Sequence, residues 1–245
     1  MTQSIELTRQ HSDPIQQVAA LGDIVSVWAH PDDESYLAAG LMARAGANGA
    51  LVTCITATAG DLADTERRRR VIARRRRAEL AAALDVLDVT DRVRFGLRDG
   101  GCAAVDPGGP VALIAAVIAD RDPDTIVTFG PDGLTGHPDH RAVSRWTMAA
   151  VQLAGSTARV LHTAVTADVM DENVDINSRF DVFEPGFPTI HRREAVAIDL
   201  TLDGEWLDRK LSALQCHASQ TSGLIDVLGI ERYRRWIAPE MFVDV

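Results

Sequence analysis

The sequence predicts an α/β fold: a Rossmann-like, mainly parallel sheet with helices on both faces, and a less regular C-terminal part. Three observations lead there. Short apolar runs rich in β-branched residues recur along the chain, as in strands buried on both faces. Helix-like segments separate them, the alternation expected of βαβ units. The 245 residues are 46% hydrophobic and 24% charged. Those globular proportions let roughly 70–75% of the unfolded chain's surface be buried around one core.

Residues 1–22 read as a lead-in with a short helix near Pro14–Leu21. Ile24–Ala29 (IVSVWA) is the first strand, followed by a small-residue helix over Leu37–Ala47 that ends near Gly49. Leu51–Ala57 (LVTCITA) is the second strand, and Thr65–Leu87 a long helix. A short strand at Val93–Phe95, a helix at Val111–Asp120 and a strand at Thr125–Phe129 continue the alternation. A helix over Arg141–Ala154 and a strand over Val160–Thr166 complete it. Beyond Thr166 the pattern weakens. Residues 168–204 are polar, with a strand at Val196–Leu200, and Glu205–His217 and Gly223–Trp236 read as closing helices. The expectation is one domain over 1–245, with its core at about 22–166 and an extension at about 167–245.

Net charge is −10. That opposes a general nucleic-acid or anionic-membrane role, because phosphate binding needs a basic surface. Eight arginines fall within Arg67–Arg77, but no aromatics are interleaved for base stacking, and an apolar stripe (Leu80, Leu84, Leu87) continues the helix. An exposed helix face is the favoured reading, with one or two arginines near an anionic substrate group. Lys210 is the only lysine and is given no functional weight. Cys54, Cys102 and Cys216 show neither paired nor metal-type spacing. The polar stretch Met1–Gln17 lacks a signal-peptide core, and no run of about 20 apolar residues spans a membrane. A cytoplasmic protein is expected.

Two motifs carry chemistry. Ala29-His30-Pro31-Asp32-Asp33-Glu34 leaves the first strand and enters a helix, with Pro31 suited to its first position and the acids to its positive end. Gly136-His137-Pro138-Asp139-His140 follows a later strand through the glycine-bearing loop 130–135. In open α/β sheets ligands bind beyond the carboxyl ends of the strands. Each motif sets His, Pro and carboxylate ahead of a further ligand-type residue three positions after its first His. Three such groups could converge on one metal ion, the ligand set of catalytic zinc with an open position for water. The remaining acid and imidazole are then available for proton transfer.

AHPDDE, with GHPDH about a hundred residues later, resembles the LmbE-like (PIG-L) family of zinc-dependent N-acetylglucosamine deacetylases. The likeness covers roughly residues 22–155 and extends weakly to Lys210–Gln220 (KLSALQCHASQ). It implies His30, Asp33 and His140 as metal ligands, for Zn2+ or another divalent metal such as Fe2+. It implies Asp32 as the general base on a zinc-bound water, His137 as the group that stabilises charge or protonates the leaving amine, and Asp139 as the carboxylate orienting His137. Glu34 is read as part of the acidic helix start. Asp61, in Thr58-Ala59-Gly60-Asp61, resembles a substrate-side loop. Arg76, three residues before Glu79, resembles a substrate-reaching arginine, and Arg98 and Asp99 resemble a sugar-binding loop. Thr135 stands where some relatives have a tyrosine for the oxyanion. The implied function is hydrolysis of an N-acetyl group from a small acetylated amino-sugar conjugate. A homo-oligomer is left open, and nucleic-acid and membrane partners are not expected.

Overall fold

A computed structural model describes residues 14–245, and side chains from Gln17 onward. The first part of the expected lead-in, 1–13, lies outside the described residues, as does most of the stretch read for a signal peptide. After α1 (Pro14–Ala19) come β1 (Ile24–Trp28), α2 (Asp33–Leu37), α3 (Ala39–Ala47), β2 (Val52–Thr58) and α4 (Glu66–Val86). Then follow β3 (Asp91–Leu97), α5 (Gly108–Arg121), β4 (Thr125–Thr128), α6 (Pro138–Ala154) and β5 (Arg159–Thr163). The remainder holds β6 (Val165–Thr166), α7 (Ala167–Glu172), α8 (Val174–Arg179), β7 (Ile190–His191) and β8 (Ile198–Thr201). It closes with α9 (Gly204–Cys216), α10 (Ala218–Leu228), α11 (Ile230–Ile237) and β9 (Pro239–Asp244).

Seven strands form one sheet in the order β3-β2-β1-β4-β5-β9-β8. The first five are parallel, and β9 runs antiparallel to both β5 and β8. Every residue of β1, β2 and β4 is buried, as expected of strands covered by helices on both faces. Trp28 and Phe129, at the ends of β1 and β4, meet edge to face at 5.2 Å. Strand order reverses at the β1/β4 pair: the chain goes from β1 outward to β2 and β3, then returns to β4 on the other side. Connections leaving adjacent strands in opposite directions open a crevice at their carboxyl ends, and both His-Pro-Asp motifs lie there.

Several boundaries differ from the sequence expectation. The first helix after β1 begins at Asp33 rather than Leu37, and Pro31 sits in the preceding turn instead of at the first helical position. Ala38 breaks it from α3. The strand expected through Thr166 stops at Thr163, and Val165–Thr166 pairs instead with β7 in a small second sheet. The polar stretch 168–204 contains α7 and α8. The last expected helix is two, because Gly229, at φ 74°, adopts a conformation that other residues rarely reach. β9 was not expected. It begins at a proline, which the first residue of a strand tolerates, and it is only six residues long.

A buried ion pair holds that last strand in place. The Lys210 Nζ on α9 donates to the Glu240 Oε1 on β9 at 2.9 Å, and both side chains are fully buried. The same carboxylate accepts the amides of Gly40 (2.8 Å) and Leu41 (2.9 Å), two of the unpaired donors at the start of α3. One carboxylate thus ties β9, α3 and α9 together. Burial pushes the Lys210 pKa down, and Glu240 opposes that shift. We expect Lys210→Met to strand the buried carboxylate and lower unfolding stability by about 3–5 kcal/mol in urea titration. A loss under about 1 kcal/mol would show that the pair contributes little.

Candidate active site

The crevice at the β1/β4 reversal collects side chains from both motifs. Gly133 and Gly136 shape the loop that delivers the second one. Both have positive φ; a Cβ on Gly133 would lie 2.9 Å from the His140 Cβ, and one on Gly136 would lie 2.4 Å from Phe187. The carboxylate of Asp132 braces the loop by accepting the amides of Leu134 (3.0 Å) and Thr189 (2.8 Å). His137 caps α6, its Nδ1 accepting the Asp139 amide at 3.2 Å.

The hydrogen-bond partners of two imidazoles determine where their lone pairs point. His30 Nε2 faces carboxylate oxygens of Asp99 (3.1 Å) and Asp139 (3.2 Å). Ionised carboxylates only accept, so this nitrogen carries the proton. His140 Nδ1 faces the Gly133 carbonyl at 3.0 Å and the Thr135 hydroxyl at 3.1 Å, so it too is the donor. The lone pairs of His30 Nδ1 and His140 Nε2 are left facing each other at 3.1 Å. Two lone pairs at that distance repel unless a proton or a cation lies between them. The Asp33 carboxylate spans the pair, its Oδ2 3.6 Å from His30 Nδ1 and its Oδ1 3.4 Å from His140 Nε2. Tetrahedral ligands bound at zinc distances stand about 3.3 Å apart, so the two nitrogens have the spacing of ligands to one small divalent ion, with the Asp33 carboxylate beside them. His137 is also in reach: one nitrogen each of His30, His137 and His140 lie within 4.8 Å of one another. His30, Asp99 and Asp139 make a second group of that kind.

Two adjacent carboxyls are driven in opposite directions. Burial pushes the Asp32 pKa up to about 7, with Asp33 adding to the shift and Arg76 opposing it. Burial would also raise Asp33, but the imidazoles of His140 and His30 outweigh it and hold the carboxyl well below its usual range. Burial opposes charge on His30, yet Asp139, Asp33 and Asp99 together raise its pKa well above the ordinary value. Burial lowers His140, against the pull of Asp33. Asp32 also sits at φ 114°, a strained backbone conformation of the kind that clusters at functional sites.

Behind this ring lie the other residues singled out from sequence. Asp139 is fully buried; its carboxylate accepts the amides of Gly100 (2.8 Å) and Cys102 (2.9 Å) besides contacting His30. Its side chain therefore orients His30, while its backbone amide orients His137. Asp61 is buried and accepts the Asp99 amide at 3.0 Å, so it holds the loop that presents Asp99. Arg76 is buried, hydrogen-bonded to the Pro31 carbonyl and 3.3 Å from the Asp32 carboxylate. Arg98 is exposed just past β3. Other arginines of α4 pair locally: Arg68 with Asp64, Arg69 and Arg70 with Glu66, and Arg75 with Glu79.

Sequence reading missed a second row of groups. Glu34 does lie in the first turn of α2, and it is fully buried. Its carboxylate accepts the Asp32 amide (2.9 Å) and the Ser35 hydroxyl (2.6 Å), and it contacts His217 Nε2 at 2.9 Å. His217 lies at the end of α9, in the KLSALQCHASQ segment already noted for its likeness, and that was the available signal.

Such a donor set at the reversal point of a doubly wound sheet defines the class of metal-dependent hydrolases. The chain belongs to the PIG-L family: the profile of the GlcNAc-PI de-N-acetylases matches residues 25–151. It is an N-deacetylase, an enzyme of amide hydrolysis. The 1D-myo-inositol 2-acetamido-2-deoxy-alpha-D-glucopyranoside deacetylase of Rhodococcus jostii RHA1 is 33% identical over 242 residues, covering 81% of this chain and 82% of that protein. Among solved structures, the N,N'-diacetylchitobiose deacetylase of Pyrococcus horikoshii superposes with a TM-score of 0.64 at 17% identity, over 96% of this chain and 87% of the other. The A40926 pseudoaglycone deacetylase Dbv21 superposes with a TM-score of 0.65 at 20% identity, over 91% and 97%. These two likenesses extend to the fold.

The Asp139 contact generates a prediction. Replacing Asp139 by Asn should weaken divalent-metal binding by about 10–100-fold, because His30 loses the carboxylate that fixes its tautomer. Chelator competition measures this, and unchanged affinity would remove Asp139 from any orienting role.

Proposed function

We propose that this protein removes the N-acetyl group from an N-acetylglucosamine-type small-molecule conjugate, with His30, Asp33 and His140 holding one zinc ion. The observation that carries the reading is the pair of facing imidazole lone pairs, spanned by the two carboxylate oxygens of Asp33 and flanked by Asp32. When bound, the metal supplies a Lewis acid that acidifies water and polarises a carbonyl. Iron would suit the same two-histidine, one-carboxylate set.

The chain's own groups then divide the work. Asp32 takes a proton from the attacking water; its raised pKa makes it a stronger base than an exposed carboxylate. Arg76 and the Glu34-bound amide keep Asp32 in place. The water oxygen bonds to the acetyl carbon, the C–N bond breaks, and the nitrogen takes up a proton. Asp32 returns its proton there, while His137, whose Nδ1 accepts a backbone amide and leaves the N–H on Nε2, donates a hydrogen bond to the charge that develops on the carbonyl oxygen. The products are acetate and a free amine. Arg98, with Asp99 beside it, contacts the sugar hydroxyls, and Asp61 supports that loop from behind.

A mass-spectrometric screen of N-acetylglucosamine conjugates tests the reaction; loss of one acetyl is expected, and no loss from any conjugate overturns it. Two variants test the division of labour. His140→Ala should lose most of its bound metal by elemental analysis, from about one ion per chain. Asp32→Asn should keep the metal while kcat falls by a factor of about 10² or more. If both variants lose metal alike, Asp32 is a ligand and not the base. Arg98→Ala should raise KM more than it changes kcat or metal content.

A further inference from the structure

Next to the site lies a cavity of about 390 Å³, within the range of small-molecule pockets. Asp32, Asp33 and His140 form part of its wall, so an occupant touches the reacting centre. Asp61, Arg98, Asp99 and His137 are not in that wall. Most of the wall is apolar, including Leu134, Val169, Met170, Phe183, Leu224 and Trp236. Most of it also comes from residues 164–241, beyond the stretch matched by the family profile.

Several polar side chains in the wall already have a partner. Tyr36 accepts from the Tyr233 hydroxyl at 3.0 Å, and Thr135 meets His140. Asn173 donates to the Val169 carbonyl (2.8 Å) and accepts from Arg232 (3.0 Å). Gln220 donates to Ser219 at 3.1 Å, and the Asn177 amide lies against the Met170 sulfur. A polyol placed here would set much of its surface against apolar side chains, which is unfavourable for each hydroxyl left unmatched. An apolar group has no such cost and gains from leaving water.

On the reading that the enzyme deacetylates an amino-sugar conjugate, we propose that the group joined to the sugar is apolar, an alkyl or aryl aglycone seated in this pocket. The relative in Rhodococcus jostii is named for a substrate whose aglycone is inositol, a polyol. On this proposal the two enzymes share the chemistry of the site and differ in the aglycone.

Trp236 in the wall gives a binding signal independent of turnover. The holoenzyme is titrated with methyl and octyl 2-acetamido-2-deoxyglucopyranosides, the latter below its micelle concentration, and acetate release is measured in parallel. The octyl glycoside should bind at least about tenfold tighter, since each buried methylene contributes about fourfold. Leu224→Asp should bring the octyl-to-methyl ratio close to one, and Leu224→Met should preserve it. Equal affinities for the two glycosides overturn the proposal. So does a chain-length preference found only on the acyl side, with methyl N-octanoylglucosaminide favoured over its N-acetyl counterpart. Octyl preference without acetate release from either glycoside leaves the apolar pocket standing and removes the deacetylation reading instead.

Discussion

The parallel pairing of β1 with β4 is the constraint on which the site depends. These strands are neighbours in the sheet, yet about a hundred residues apart in the chain. Their connections leave in opposite directions, and the crevice between them brings His30 and His140 to 3.1 Å. A one-residue slip in that register would turn every side chain of the strand to the other face. The loops after β2 and β3 open at the same edge, so Asp61 and Asp99 reach the crevice from a third and fourth direction. Sheet topology therefore does the assembling, and loop glycines make the final adjustment.

Within the crevice, neighbouring acids are separated by their surroundings. Asp32 and Asp33 are adjacent in the chain, but one is buried beside an arginine and the other lies between two imidazoles. Environments that push two carboxyls apart in pKa are how one site assigns a base and a ligand. The supporting groups follow the same logic. Asp139, Asp99, Gly133 and Thr135 fix which nitrogen of each histidine carries its proton, while Arg76 and Glu34 fix the position of Asp32.

What was legible in the sequence was what local physics determines. β1, β2 and β4 announce themselves as β-branched apolar runs because they are buried on both faces, and the two His-Pro-Asp motifs stand out because chemistry-bearing residues cluster at their ends. Long-range pairings left no such mark. Glu34 reads as part of an acidic helix start, which it is, but its partner His217 is 183 positions away. Asp139 was expected to hold His137 through its side chain, but three residues' worth of local geometry sends the carboxylate across to His30, and only the amide serves His137. β9 escaped notice because a six-residue segment beginning with proline lacks the alternation that signals a strand. The apolar pocket is also a product of tertiary assembly, drawn from α2, the loop after β4 and several C-terminal helices.

Lys210 shows how far a composition-level oddity can be turned into a property. The sole lysine of the chain is fully enclosed against Glu240. While folded, this protein therefore presents no lysine side chain to enzymes or reagents that acylate, alkylate or conjugate ε-amines. Its surface cations are arginines, which such chemistry does not touch. Access to that one amine requires β9 to leave α9, so lysine labelling would read opening of the C-terminal strand directly, at a single position and without an engineered probe.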